Sequence, residues 1–137
     1  MPMDDSIRSF LQERHIARAT TVGPDGYPHT VPIWYMLDGD DIIICTGPES
    51  RKVRNIRANP KGAVVIGGDP KRDHRTFQEG YLFQGDFSLE GEPGFDWIRK
   101  ITYRYRDDHD QAERDMAEWG PHQMIRFKIR KVMKVME

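Results

Sequence analysis

The chain has 137 residues, with 21 Lys and Arg against 22 Asp and Glu, and a formal net charge of −1. That length suits one domain over residues 1–137, and near-neutrality argues against a bulk nucleic-acid binder, whose affinity rests on excess positive charge. At 37% hydrophobic residues the chain is polar but patterned enough to fold, and no apolar run approaches the ~20 residues that span a bilayer.

A short helix is predicted first, capped by Asp4 or Asp5, with Ile7, Phe10 and Leu11 at helical spacing. A strand from His15 to Val22 leads into the turn Gly23-Pro24-Asp25-Gly26. Tyr27 to Leu37 then alternates as one long strand, and Asp38-Gly39-Asp40 turns it into the β-branched strand Ile42-Ile43-Ile44-Cys45. Ser50 to about Ala58 reads as a helix stopped by Asn59-Pro60, followed by a buried strand from Gly62 to Gly67. Gly68 to Gln78 is polar and charged, a loop or flap.

Tyr81, Phe83, Phe87 and Leu89 alternate in a long strand, with Gly85 on their face marking a bulge or a close approach. Phe95, Ile98, Ile101 and Tyr105 give a helix after Pro93-Gly94. Residues 107–118 carry six acids and one base and read as a loop or an exposed helix. Ile125, Phe127 and Ile129 form a final strand, extended through Val132 toward Met136. The expected fold is mainly β (α+β): a six-stranded, mostly antiparallel barrel, because closing the sheet removes its exposed edges, with flanking helices outside.

No protein-borne catalytic machine is visible, so no catalytic residue is assigned. There is no HExxH, no paired cysteine and no two histidines at ligand spacing, and therefore no predicted metal site. GxSxG and GxxxxGK[ST] are absent as well. Cys45 lies in an apolar strand, where burial keeps a thiol inert. A single cysteine also cannot form an internal disulfide, and Met1-Pro2-Met3-Asp4-Asp5 lacks a signal peptide's basic and apolar regions. Both features lead to an expected cytoplasmic location.

One constellation stands out. From Arg51 to Lys61 there are five bases and no acid. With Ser50 as cap, Arg51 and Lys52 fall in the first turn of a helix, where free N–H groups already make the potential positive and cations are unfavourable. A bound phosphate reverses that penalty; the plain alternative is a solvated basic face with long stems over apolar surface. Pro28 and Pro32 remove two donors from the Thr30–Met36 region, which therefore cannot pair fully on both sides. An unpaired backbone between apolar and aromatic side chains suits a flat ligand with hydrogen-bonding edges; the alternative is an ordinary edge strand.

The run from Ala19 to Ile66 resembles the FMN-binding split-barrel superfamily, the pyridoxamine 5'-phosphate oxidase-like proteins. It is most similar to their small branch that uses FMN or the deazaflavin coenzyme F-420. The resemblance rests on Ala19-Thr20-Thr21-Val22-Gly23-Pro24-Asp25-Gly26, Pro28-His29, Trp34-Tyr35 and Lys52-Val53-Arg54-Asn55-Ile56-Arg57-Ala58-Asn59-Pro60, with weaker echoes in Phe83-Gln84-Gly85 and Arg104-Tyr105. It implies a six-stranded split barrel that forms a homodimer, with cofactor sites at the subunit interface. Ser50, Arg51 and Lys52 would hold the cofactor phosphate and Asn55 would support that helix end. Val31, Pro32, Ile33 and Trp34 would border the ring, with Thr46 near the ribityl chain. Trp119 and Arg126 are the candidates for a neighbouring subunit's contribution.

The implied activity is that of an oxidoreductase passing a hydride between the cofactor and a small-molecule substrate, in a pocket shaped by Trp34, Tyr35 and Tyr81. Lys61, Lys71, Arg72 and Arg75 are available to the polyglutamate tail of F-420. The chain ends Lys131-Val132-Met133-Lys134-Val135-Met136-Glu137 instead of the arginine-rich motif of the true oxidases, which argues against vitamin B6 oxidation. The alternatives are a non-catalytic protein that stores or shuttles flavin, haem or another tetrapyrrole, and a small barrel binding single-stranded nucleic acid. The net charge counts against the last.

Overall fold

Asp4 caps α1 (Asp5–Gln12) by accepting from the Ser6 N–H, and the helix buries Phe10 and Leu11. The computed structural model describes residues 3–91 and 96–135. The elements that follow are β1 (Ala17–Val22), β2 (Pro28–Ile33), β3 (Met36–Asp38), β4 (Asp41–Thr46), α2 (Arg51–Ala58), β5 (Lys61–Gly67), β6 (Gly80–Glu90), α3 (Asp96–Tyr105), α4 (His109–Glu118) and β7 (Gln123–Lys134). The predicted helix start at Pro93-Gly94 and Phe95, and the last predicted strand residue Met136, lie outside the described residues. Among the described residues no helix is long and apolar enough to cross a membrane.

The strands form one antiparallel sheet of seven, in the order β2-β1-β5-β6-β7-β4-β3. Two expectations are corrected here: the strand count is seven instead of six, and the sheet is not closed by hydrogen bonds. The cause is the predicted single strand from Tyr27 to Leu37, which breaks at Trp34-Tyr35. Its halves, β2 and β3, are the two opposite edges of the sheet. Tyr35 is fully buried, and its hydroxyl donates to the Leu11 carbonyl at 2.7 Å, which turns the chain inward.

Geometry then fixes the shape. Three residue steps from Ile33 to Met36 reach at most ~11 Å, whereas seven strands laid flat would set the edges roughly 29 Å apart. The sheet is therefore rolled, with a seam between β2 and β3 that two residues bridge at one end. β2 pairs only with β1, as an edge strand containing Pro28 and Pro32 must.

Inside the roll lie Leu11, Tyr35, Ile44, Ile66, Phe83 and Phe127, with Val53 and Ile56 of α2 closing the core from one side. On the other face of β4, Ile43 and Met124 pack against Ile101 of α3, and Trp34, Cys45 and Tyr105 pack around them. The β6–β7 register shifts after Gln84, leaving Arg130 as the extra residue of a bulge. Gly85 sits there because a Cβ would run into the Lys128 carbonyl oxygen. The segment predicted as a loop or flap is a loop between β5 and β6, in which Lys71 N–H donates to Thr76 O and Gln78 N–H to Asp69 O, each at 2.8 Å.

Candidate functional site

α2 starts where the chain leaves β4. Ser50 takes an extended conformation and its hydroxyl accepts from the Val53 N–H at 3.4 Å, while its carbonyl accepts from Arg54 N–H at 3.2 Å. The N–H groups of Arg51 and Lys52 have no acceptor among the described residues. The Arg51 side chain is exposed and that of Lys52 half-buried, and no described carboxylate lies within ion-pair distance of either. Burial holds the Lys52 ammonium below its ordinary pKa. The first turn of α2 thus carries two free N–H groups, a guanidinium and a partly desolvated ammonium, with no carboxylate partner among the described residues. That donor set fits a phosphate group.

Asn55 lies one turn further along the helix and is buried, its Nδ2 donating to Thr21 Oγ1 at 3.0 Å. The amide packs so closely on the β1–β2 turn that a Cβ on Gly23 would stand 2.5 Å from Asn55 Oδ1. Asn55 therefore positions the helix and does not itself face the corner. Thr21 and Gly23 belong to this support. The sequence reading placed Thr21 in a strand and Gly23 in a turn but gave neither a part in the site, since their partner lies on α2.

Val31 and Ile33 point to the inner face of β2, opposite the buried Ala19 and Ala17, and Pro32 points outward opposite Arg18. Trp34 leaves the strand and stacks on Tyr105, with ring centroids 5.0 Å apart and planes 3° from parallel. It lines a ≈180 Å³ cavity with Ile33, Cys45, Ile98, Ile101 and Trp119, and the remaining lining residue, Thr102, spends its hydroxyl on the Ile98 carbonyl. Among the described residues no charged one borders this cavity. Thr46 ends β4 opposite Gln123, four residues before the cap.

The other expected contributors divide. Tyr35 is a core residue whose hydroxyl is pushed up in pKa by burial, and Tyr81 is also buried, its hydroxyl donating to Glu79 and held up at about 12 chiefly by that bond. Tyr81 lines an open pocket of ≈370 Å³ with Phe77, Glu79, Lys134 and Val135, separate from the one that Trp34 lines. Arg126 is committed within its own chain, to Glu90 at 2.7 Å, Asp38 at 2.9 Å and Asp41 at 3.0 Å. Trp119, at the end of α4, remains exposed at 39%. Lys61, Lys71, Arg72 and Arg75 are exposed. Among the described residues no three His, Cys, Asp or Glu side chains converge as a metal set.

A family model for pyridoxamine 5'-phosphate oxidase matches residues 3–136. A 5a,11a-dehydrotetracycline/5a,11a-dehydrooxytetracycline reductase from Streptomyces rimosus is 35% identical over 77 residues, covering 53% of this chain. The chain spans 54% of that relative's length. Among solved structures, a conserved hypothetical protein from Mycobacterium tuberculosis superposes with a TM-score of 0.75 at 23% identity, over 96% of this chain and 84% of the other. An F-420 reductase superposes with a TM-score of 0.72 at 19% identity, over 96% and 98%. A haem storage protein from Vibrio cholerae superposes at 0.67 and 14% identity, over 97% and 94%. At these identities the superpositions establish the shared fold.

Proposed function

Because the chain belongs to the pyridoxamine 5'-phosphate oxidase family, we propose that it is a cytoplasmic oxidoreductase that binds FMN or coenzyme F-420 and acts on a small unsaturated molecule. The α2 corner carries this reading: free N–H groups of Arg51 and Lys52 beside two cations that have no carboxylate partner among the described residues. Ser50, Arg51 and Lys52 would hold the cofactor phosphate, on a helix fixed by Asn55. Val31, Pro32, Ile33 and Trp34 would border the ring along the unpaired edge of β2, and Thr46 would lie by the sugar-alcohol chain. When bound, the ring supplies the hydride chemistry. The chain's own task is to hold that ring against the seam, keep water from it, and offer the uncharged cavity under Trp34 to a substrate. The S. rimosus relative, a reductase, is in line with this class.

The partner in this reading is a second copy. Pro32, Val65, Leu82 and Met133 stand in one cross-strand line with Arg18 on the outer face of β2, β1, β5, β6 and β7. A groove there is lined by Val65, Leu82, Met133, Lys134 and Val135. Apolar residues on four strands of this line, broken by Arg18 on β1, suit a homodimer contact, and Trp119 is an exposed aromatic available to complete a neighbour's pocket.

The test is the absorption spectrum of the purified protein, followed by titration with each coenzyme and assay of reductants. Saturable binding of FMN or F-420 with turnover is expected. Binding of neither, or a Soret band in place of a flavin spectrum, overturns the reading. A coloured protein inert to every reductant leaves only a carrier.

A further inference from the structure

His29 continues the inner-face row of β2 formed by Val31 and Ile33, and it stands directly opposite the buried Thr21 on β1. Residues opposed in this way share a face with their Cβ atoms ~5 Å apart. The His29 ring is thus on the side from which α2 reaches Thr21 through Asn55. Two polar valences there are unspent. His29 Nδ1 is shielded from solvent and has no hydrogen-bond partner. Thr21 Oγ1 accepts from Asn55, but its own proton has no acceptor among the described residues. A buried nitrogen left unpaired is costly enough to need a reason.

We infer that His29 is a further cofactor-binding residue, which donates from Nε2 to the anion-bearing chain of the cofactor while Thr21 fixes its tautomer. The inference rests on the phosphate corner proposed above. In the bound state the Thr21 hydroxyl donates to His29 Nδ1, which leaves the proton on Nε2, the nitrogen farther from the strand. The chain Asn55 to Thr21 to His29 then links the helix that carries Arg51 and Lys52 to the edge strand that borders the ring. Arg51 and Lys52 open the helix that Asn55 ties to this row, and β1 offers the neutral Thr21 and Ala19. An acceptor of negative charge is what such surroundings favour.

The experiment titrates FMN and F-420 into the wild-type protein, His29→Phe, His29→Gln and the double variant Arg51→Ala/Lys52→Ala. Histidine ring ¹⁵N signals are recorded with and without cofactor. Loss of a hydrogen bond to a charged group predicts at least about a fivefold weaker affinity for His29→Phe. His29→Gln, which keeps an N–H donor, should stay within about twofold of wild type. On binding, the wild-type His29 signals should settle to the Nε2–H tautomer, a readout that needs no variant to fold. Unchanged affinity of His29→Phe beside a weakened double variant overturns the role of His29 and leaves the phosphate corner standing. So does a ring that keeps its tautomer mixture in the saturated protein. If neither His29→Phe nor the double variant moves the affinity, the corner itself is wrong and this inference falls with it.

Discussion

Asn55 donates its side-chain amide to Thr21 Oγ1 at 3.0 Å, and this buried bond ties α2 to β1 across 34 residues of sequence. Replacing Asn55 by Ala removes the bond and strands the Thr21 hydroxyl in the core. The expected cost is about 1–3 kcal/mol, read from urea denaturation. Cofactor affinity should fall too, although no cation of the corner is lost. Unchanged stability would mean that α2 is held by apolar packing alone.

Arg104 grips the end of α1 through three carbonyls, Leu11 at 2.9 Å, Gln12 at 3.2 Å and Glu13 at 2.6 Å. Its guanidinium also lies over the rings of Tyr35 and Tyr105. A lysine ammonium cannot match that fork or stack as a plane. Arg104→Lys should therefore destabilise by about 2–3 kcal/mol, visible as a lower melting temperature. A melting curve identical to wild type would assign the clamp no weight.

α4 is joined to α3 by Arg99–Glu113 and to the residue just after α3 by Arg106–Asp115, each at 2.7 Å. Hydrogen bonding to these arginines holds both carboxylates below their ordinary values of 4.5 and 3.8. A carboxylate whose pKa is depressed by folding stabilises above its unfolded value, and the contribution is lost as pH falls through the folded one. Helix content should thus begin to fall below about pH 4 and not in the neutral range. Circular dichroism of the wild type against Glu113→Gln checks it, since the variant should lose the acid sensitivity of that pair.

Burial lowers the pKa of Lys52, and a bound phosphate would raise it again. Binding that raises a pKa takes up protons, so cofactor affinity should decline as pH rises through the free protein's Lys52 pKa. Lys52→Arg keeps its charge over that range and should flatten the alkaline decline. Parallel alkaline profiles for the two proteins would remove Lys52 from the phosphate site.

How much of this was legible in the residues varies with the range of the interaction. Local chemistry was readable: Ser50 as a cap, Gly39 between two strands, Gly85 at the bulge and Pro32 on an edge all act through their own backbone. The break at Trp34-Tyr35 was not, because the alternation of side chains runs straight through it. What breaks the strand is a hydrogen bond from Tyr35 to Leu11, 24 residues away, and the jump from one edge of the sheet to the other. α4 was ambiguous because only Ala112 and Met116 are buried, too few to print a helical stripe. The cationic turn of the candidate site was visible in sequence. Its support was hidden, since Thr21 and Gly23 meet Asn55 of α2 only after folding.

The most direct measurement is the affinity of Arg51→Ala/Lys52→Ala for FMN and for F-420, beside the wild type at one ionic strength. Both side chains lie outside the core, so the fold should persist, and affinity should drop at least about tenfold for whichever coenzyme the wild type binds. Equal affinities of a folded double variant and the wild type would contradict the account, because a phosphate would then have no reason to sit at the start of α2.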